Sequence, residues 1–199
     1  MRDMLSFTVA VIFLLITPGP GVLSLAGVGS AFGYAHGVRY LIGLFIGTNL
    51  VCLGVITGLA AVLLAEPGLR VGLTLVSAGD LLWLAFRIAF AGAKLAFIDR
   101  PAPPGIRGGI ILQAFNPKAY VVNTTLFSGF AFLAERPALE MALKLVILNL
   151  LWVSIHILWL WLGVTLRRMN LGARLQRGIN VVMALAMVAV VGLAARGVF

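Results

Sequence analysis

Long stretches without a formal charge set the first limit on this chain. No Asp, Glu, Lys or Arg occurs between Asp3 and Arg39, and none occurs within 40–65, 119–134, 145–166 or 178–195. A helix needs about 20 mostly apolar residues to cross bilayer hydrocarbon, where every backbone polar group must be satisfied within the protein. The pattern predicts six such spans, at roughly 5–28, 38–64, 69–91, 109–133, 142–166 and 177–196. It lacks the period-two alternation over about ten residues that marks a membrane barrel. Of 199 residues, 62% are hydrophobic and 11% charged, against about 45–50% apolar and 25% charged in soluble domains. A soluble globule and a disordered chain are both excluded. The expected fold is an all-α membrane protein, one transmembrane domain over 1–199. The first apolar run exceeds the about 7–15 residues of a secretory signal and is interrupted by Pro18 and Pro20, so it reads as a span.

Basic residues set the expected orientation. Arg39, Arg87, Lys94, Arg100, Arg107, Arg167, Arg168, Arg174 and Arg177 fall on the side of the first, third and fifth loops. The opposite side carries Arg2, Arg70, Arg136, Lys144 and Arg196, offset by Asp3, Glu66, Glu135 and Glu140. The odd loops are therefore expected in the cytoplasm and both termini outside. The net charge of +9 then reflects basic loops beside anionic lipid. Nucleic acid is not an expected partner, because the basic stretch Arg167 to Arg177 has no interleaved aromatics. One cysteine, Cys52, and two histidines predict no disulfide, metal or haem site. No phosphate-binding G-x-x-x-x-G-K-[ST] and no nucleophile–base or H-E-x-x-H motif is present, so neither ATP drive nor an enzyme is expected.

The most polar connection, about 93–108, divides the chain into about 1–92 and 109–199, three spans each. Each half opens with a hydrophobic segment broken near its middle. The breaks are Thr17-Pro18-Gly19-Pro20-Gly21 and Asn116-Pro117-Lys118. Three spans per half make the second half enter the membrane in the opposite sense, which predicts inverted repeats with helices 1 and 4 broken by proline. Proline frees carbonyls one turn earlier, and unpaired backbone survives at membrane depth only inside protein or beside a wet cavity. Matched broken helices in inverted halves point to a transporter binding site; the plain alternative is a pair of kinks in packed helices.

These motifs also resemble a family. Thr17-Pro18-Gly19-Pro20, followed by Gly33, Gly37, Gly43, Gly47 and Gly58-Leu59, is similar to the opening of the lysine-exporter and homoserine/threonine-exporter (LysE/RhtB) family. Arg107-Gly108 through Asn116-Pro117-Lys118-Ala119 to Phe127 and Phe130 resembles its second signature, and Ala78 to Ile88 its third span. The resemblance implies a bacterial inner-membrane secondary exporter of amino acids or related metabolites, proton-coupled and dimeric. Gly21 stands where the family usually has asparagine, Asp80 where an aromatic is common, and Ser128-Gly129 where proline-glutamine is frequent.

Lys118 is the leading candidate for chemistry. A cation at the bilayer centre costs about 2.5–3.5 kcal/mol on insertion scales, so it needs an anion, carbonyls or water. It is expected to hold the carboxylate of an amino-acid-like solute, or to act as a fixed cation bonding carbonyls. Asp80, also within a span, has three open roles: partner of Lys118, acceptor for an amino group, or proton carrier. Gln113, Asn116, Tyr120 and Asn123 share one face if span four is a continuous helix. Thr17, Pro18, Gly19, Pro20, Gln113, Asn116, Pro117, Lys118 and Asn123 make up the expected substrate site. In span five, Asn149, Trp152, His156 and Trp159 share a register, and His156 reads either as a proton relay or as a packed, hydrogen-bonded side chain. Thr48 and Asn49 are lesser pathway candidates. Glycine pairs four apart (Gly29-Gly33-Gly37, Gly43-Gly47, Gly54-Gly58) mark close helix packing, within one chain or across a dimer. The rival to an exporter is a non-transporting membrane scaffold or partner subunit.

Overall fold

The computed structural model describes residues 2–17, 19–58 and 102–169, with isolated positions in 66–86 and 174–188. Among them the regular structure is entirely helical: α1 (Arg2–Ile16), α2 (Pro20–Phe32), α3 (Tyr34–Ile56), α4 (Gly105–Ala114), α5 (Pro117–Ser128) and α6 (Pro137–Arg168). α3 (Tyr34–Ile56) and the Pro137–Thr165 part of α6 are each long and apolar enough to cross a membrane. Phe13, Leu50, Leu150 and Trp161 are more than half exposed on α1, α3 and α6. Bulky apolar groups bared in that number suit lipid contact. Pro18 and Asp80 lie outside the described residues, as do most of the third and sixth expected spans.

Local chemistry sets the helix ends. α1 stops at Ile16 and α2 resumes at Pro20, with a bend of 51° between them. Proline suits the first position of a helix, where its missing N–H leaves no bond unmade. α2 gives way to α3 at Gly33, whose φ of 84° is open to glycine and strained for other residues. α3 therefore begins at Tyr34, and Arg39, expected in a loop, stands inside it. α3 ends at Ile56 rather than near 64, because Gly58 turns left-handed at φ 75° and its N–H closes onto the Val55 carbonyl. Asn116 starts α5: its side chain accepts from the Lys118 backbone N–H at 3.1 Å, beside Pro117 at the first helical position.

Glycines let the helices meet. α3 lies along α4, and α2 along α6. A Cβ on Gly43 would strike the Ile106 backbone, and one on Gly109 would lie 2.6 Å from both the Tyr40 carbonyl oxygen and the Leu44 nitrogen. Gly29 and Gly163 make the equivalent close approach between α2 and α6. Of the glycine pairs seen in the sequence, Gly29, Gly37, Gly43 and Gly47 are used inside one chain. The hydrophobic core, with Phe7, Val11, Leu44, Leu126, Trp152 and Leu160, lies between these pairs.

Glu140 and Lys144, expected only as charges on the outer side, prove to be partners. α6 begins at Pro137, so both are helical, four residues apart, and buried. They form an ion pair at 2.7 Å. Glu140 also accepts from the backbone N–H groups of Phe132 and Leu133, and the Lys144 ammonium donates to the carbonyls of Phe127 and Phe130. The pair clamps the chain that leaves α5 onto α6. Phe7 of α1 packs edge-on against Phe130, ring centroids 5.8 Å apart, on the same clamp.

Candidate functional site

The break between α1 and α2 and the break between α4 and α5 meet. The Lys118 ammonium donates to the backbone carbonyl of Thr17. Thr17 follows the last turn of α1, where carbonyl oxygens lack helical partners and the helix dipole is negative, an environment that favours a cation. Pro18 and Pro20 carry no N–H to occupy those oxygens. Lys118 lies directly over Gly19: a Cβ there would come within 2.7 Å of Lys118 Cδ. Only glycine leaves that crossing open.

A cavity opens beside this contact, with unfilled space of about 460 Å³ counting its mouth. α1, α2, α3, α4, α5 and α6 all contribute to its wall. Gly19, Gln113, Asn116, Lys118, Asn123 and His156 line it, and Lys118 is the one lining side chain with a fixed charge among the described residues. Gln113, Asn116, Asn123 and His156 are each more than nine-tenths buried. Asn116 Nδ2 donates to Gln113 Oε1 at 2.6 Å, so the two amides form one polar unit across the α4–α5 break. Val22, Val122 and Leu148 supply an apolar part of the wall.

The expected site residues divide accordingly. Gly19, Gln113, Asn116, Lys118, Asn123 and His156 come together at the cavity. Pro20 and Pro117 open α2 and α5 beside it. Thr17 takes part through its carbonyl, because its hydroxyl donates back to Phe13 O at 2.7 Å. Pro18 and Asp80 are outside the described residues, so the structure assigns them no contacts. Tyr120 departs from the stripe. The α4–α5 break interrupts the helical register, and the Tyr120 hydroxyl donates to Ala114 O at 2.9 Å at the end of α4. Asn49 is engaged with Asn149 at 2.9 Å, whereas Thr48 lines the cavity.

His156 stacks on Trp152, ring centroids 3.5 Å apart, and its Nδ1 lies 2.8 Å from the Trp152 carbonyl. A carbonyl only accepts, so Nδ1 carries hydrogen there. In the neutral ring Nε2 is then a bare acceptor, and it sits 3.7 Å from where a Gly21 Cβ would stand. Several lining residues were not expected as site members, Gly21 and Trp152 among them. Gly21 leaves Gln113 and His156 open to the cavity, and Trp152 read equally as a packing residue. Their signals were an empty side chain at the end of the first break and an aromatic four residues before His156.

Among the described residues no group of His, Cys, Asp and Glu is placed to hold a metal ion. Comparison with known proteins adds a family. The description of the LysE type translocator matches residues 12–196. A cysteine/O-acetylserine efflux protein of Salmonella paratyphi A is 28% identical over 87% of each chain. An uncharacterised membrane protein of Pseudomonas aeruginosa is 27% identical over 90% of each. A leucine efflux protein of Klebsiella pneumoniae is 26% identical over 77% of each. No solved structure matches the chain.

Proposed function

Because the chain belongs to the LysE type translocator family, we propose that it is a secondary exporter of small amino-acid-like solutes across the bacterial inner membrane. The observation that carries this is the contact of Lys118 with Thr17 at the rim of a polar cavity. An ammonium has three donors, and the described residues take one of them, so a carboxylate has donors left to bind. The efflux proteins of Salmonella and Klebsiella that the chain is similar to favour cargo of this chemistry.

In this reading the solute carboxylate docks on Lys118, with the Gln113–Asn116 amide pair beside it. The halves 1–92 and 109–199 act as inverted repeats and rock to expose the site alternately. Inward protons drive export, with Asp80 or His156 as the carrier, and both termini face the periplasm. The chain works as a homodimer among membrane lipids. Because Gly29, Gly37, Gly43 and Gly47 are spent within one chain, the dimer uses another face.

A scaffold with no transport activity draws on the same Lys118–Thr17 bond, taking it as purely structural. Purified protein in liposomes separates the two. Liposomes loaded with labelled leucine or O-acetylserine, under an imposed pH gradient, should release label faster than protein-free liposomes. Equal release across a broad amino-acid panel, with and without protein, establishes the scaffold.

A further inference from the structure

Asn123 is 3% exposed and lines the cavity, and its Oδ1 has no hydrogen-bond partner. Which end of the amide is unpaired is not arbitrary. The other end lies 2.8 Å from the carbonyl oxygen of Ala119. A carbonyl only accepts, so that end is the NH₂ and the unpaired end must be the oxygen. A buried acceptor left unmatched costs about 1–3 kcal/mol, and native proteins rarely leave one without a reason. His156 Nε2, bare in the neutral ring, is a second acceptor lining the same cavity.

The cavity therefore offers one cation, Lys118, and, apart from it, an unpartnered acceptor buried in its wall and the bare nitrogen of His156. An anion alone satisfies the cation and leaves the acceptors bare. A zwitterion with a small apolar side chain satisfies all three parts, its remainder lying against Val22, Val122 and Leu148.

We propose that Asn123 is the residue that selects for an α-amino group, so that the site takes α-amino acids with the carboxylate on Lys118 and the ammonium on Asn123 Oδ1. This rests on the exporter reading above. Asn123 here is a binding residue for specificity, and Lys118 binds without discriminating.

The test compares each amino acid with its counterpart lacking the amino group. L-Leucine is paired with 4-methylpentanoate, and O-acetyl-L-serine with 3-acetoxypropanoate, titrated calorimetrically into the detergent-solubilised full chain. The wild type should bind at least one amino acid about tenfold or more tightly than its deaminated partner, the fold-change of one hydrogen bond to a charged group. Asn123→Leu should abolish that preference, weakening the amino acid and leaving the deaminated acid within about twofold. If Asn123→Leu is not monodisperse, Asn123→Ser serves. Its hydroxyl still donates to Ala119 O but withdraws the acceptor from the cavity. Equal wild-type affinity for the two members of each pair overturns the assignment, as does a variant that weakens both members alike; either result leaves the exporter reading standing. Absence of binding by all four compounds and by the wider amino-acid panel sinks the exporter reading itself.

Discussion

The ammonium of Lys118 donates to the carbonyl of Thr17, joining two helix breaks that are 101 positions apart in the chain. The bond places a cation at the negative end of α1 and over the bare Cα of Gly19. Each partner answers the other's difficulty: a carbonyl freed where prolines supply no N–H, and a half-buried ammonium that needs an acceptor.

Gly19→Ala tests that crossing without touching either partner. The new Cβ would fall 2.7 Å from Lys118 Cδ, near enough to displace a flexible side chain and too far from backbone to unfold the protein. Amino-acid efflux from liposomes should fall, while the elution profile in detergent stays that of the wild type. Unchanged efflux would show that the position of Lys118 over Gly19 is immaterial.

Gly21 faces open space. A Cβ there would make only ordinary contact, 3.7 Å from Gln113 Oε1 and His156 Nε2. Gly21→Ala should therefore leave the fold intact, with a smaller gain than the about 0.5–1 kcal/mol of a mid-helix position, because Gly21 is the second residue of α2. Gly21→Leu reaches into the cavity and should block efflux of the larger solutes first. Heat unfolding in detergent and efflux of a graded set of amino acids separate the two effects.

Gly109 is the opposite case. Its Cβ would meet backbone atoms of Tyr40 and Leu44 at 2.6 Å, and backbone does not give way cheaply. Gly109→Leu should cost about 1–3 kcal/mol or more through overpacking, seen as lower heat stability. Transport per folded molecule should change much less.

Glu140 and Lys144 yield an ordering rather than a magnitude. Glu140 binds the Lys144 ammonium and two backbone N–H groups. Glu140→Gln keeps an acceptor for those groups and should lower heat stability modestly. Glu140→Leu strips acceptors from all three donors and should lower it more. Equal melting points for the two variants would overturn that ordering, and melting points equal to the wild type would mean that the clamp near Phe130 contributes nothing.

How much of this is legible in sequence differs from residue to residue. The helical, apolar character is, because charge-free runs such as 145–166 leave no other way to satisfy the backbone in lipid. Gln113, Asn116 and Asn123 stand out as polar side chains in an apolar segment, and they do share a cavity. Tyr120 stands out equally and turns elsewhere, since one interruption of the helix reassigns every face beyond it. Glu140 and Lys144 carry the four-residue spacing of a helical ion pair, yet charge near a span's end looks the same whether it is solvated or buried. Lys118 is conspicuous, but its partner at Thr17 is a backbone carbonyl, and no side-chain pattern marks a carbonyl that a bend has freed.

The central claim is that a transported solute occupies the space beside Lys118 and Asn116. Ala119 is buried and lines that space. In a Cys52→Ala background, Ala119→Cys can be titrated with a small water-soluble thiosulfonate in liposomes, with and without a saturating amino acid that the protein exports. The account predicts that the amino acid slows labelling of Ala119→Cys severalfold and leaves labelling of Glu135→Cys, exposed in the connection between α5 and α6, unchanged. Labelling of Ala119→Cys that is indifferent to every exported solute would contradict it.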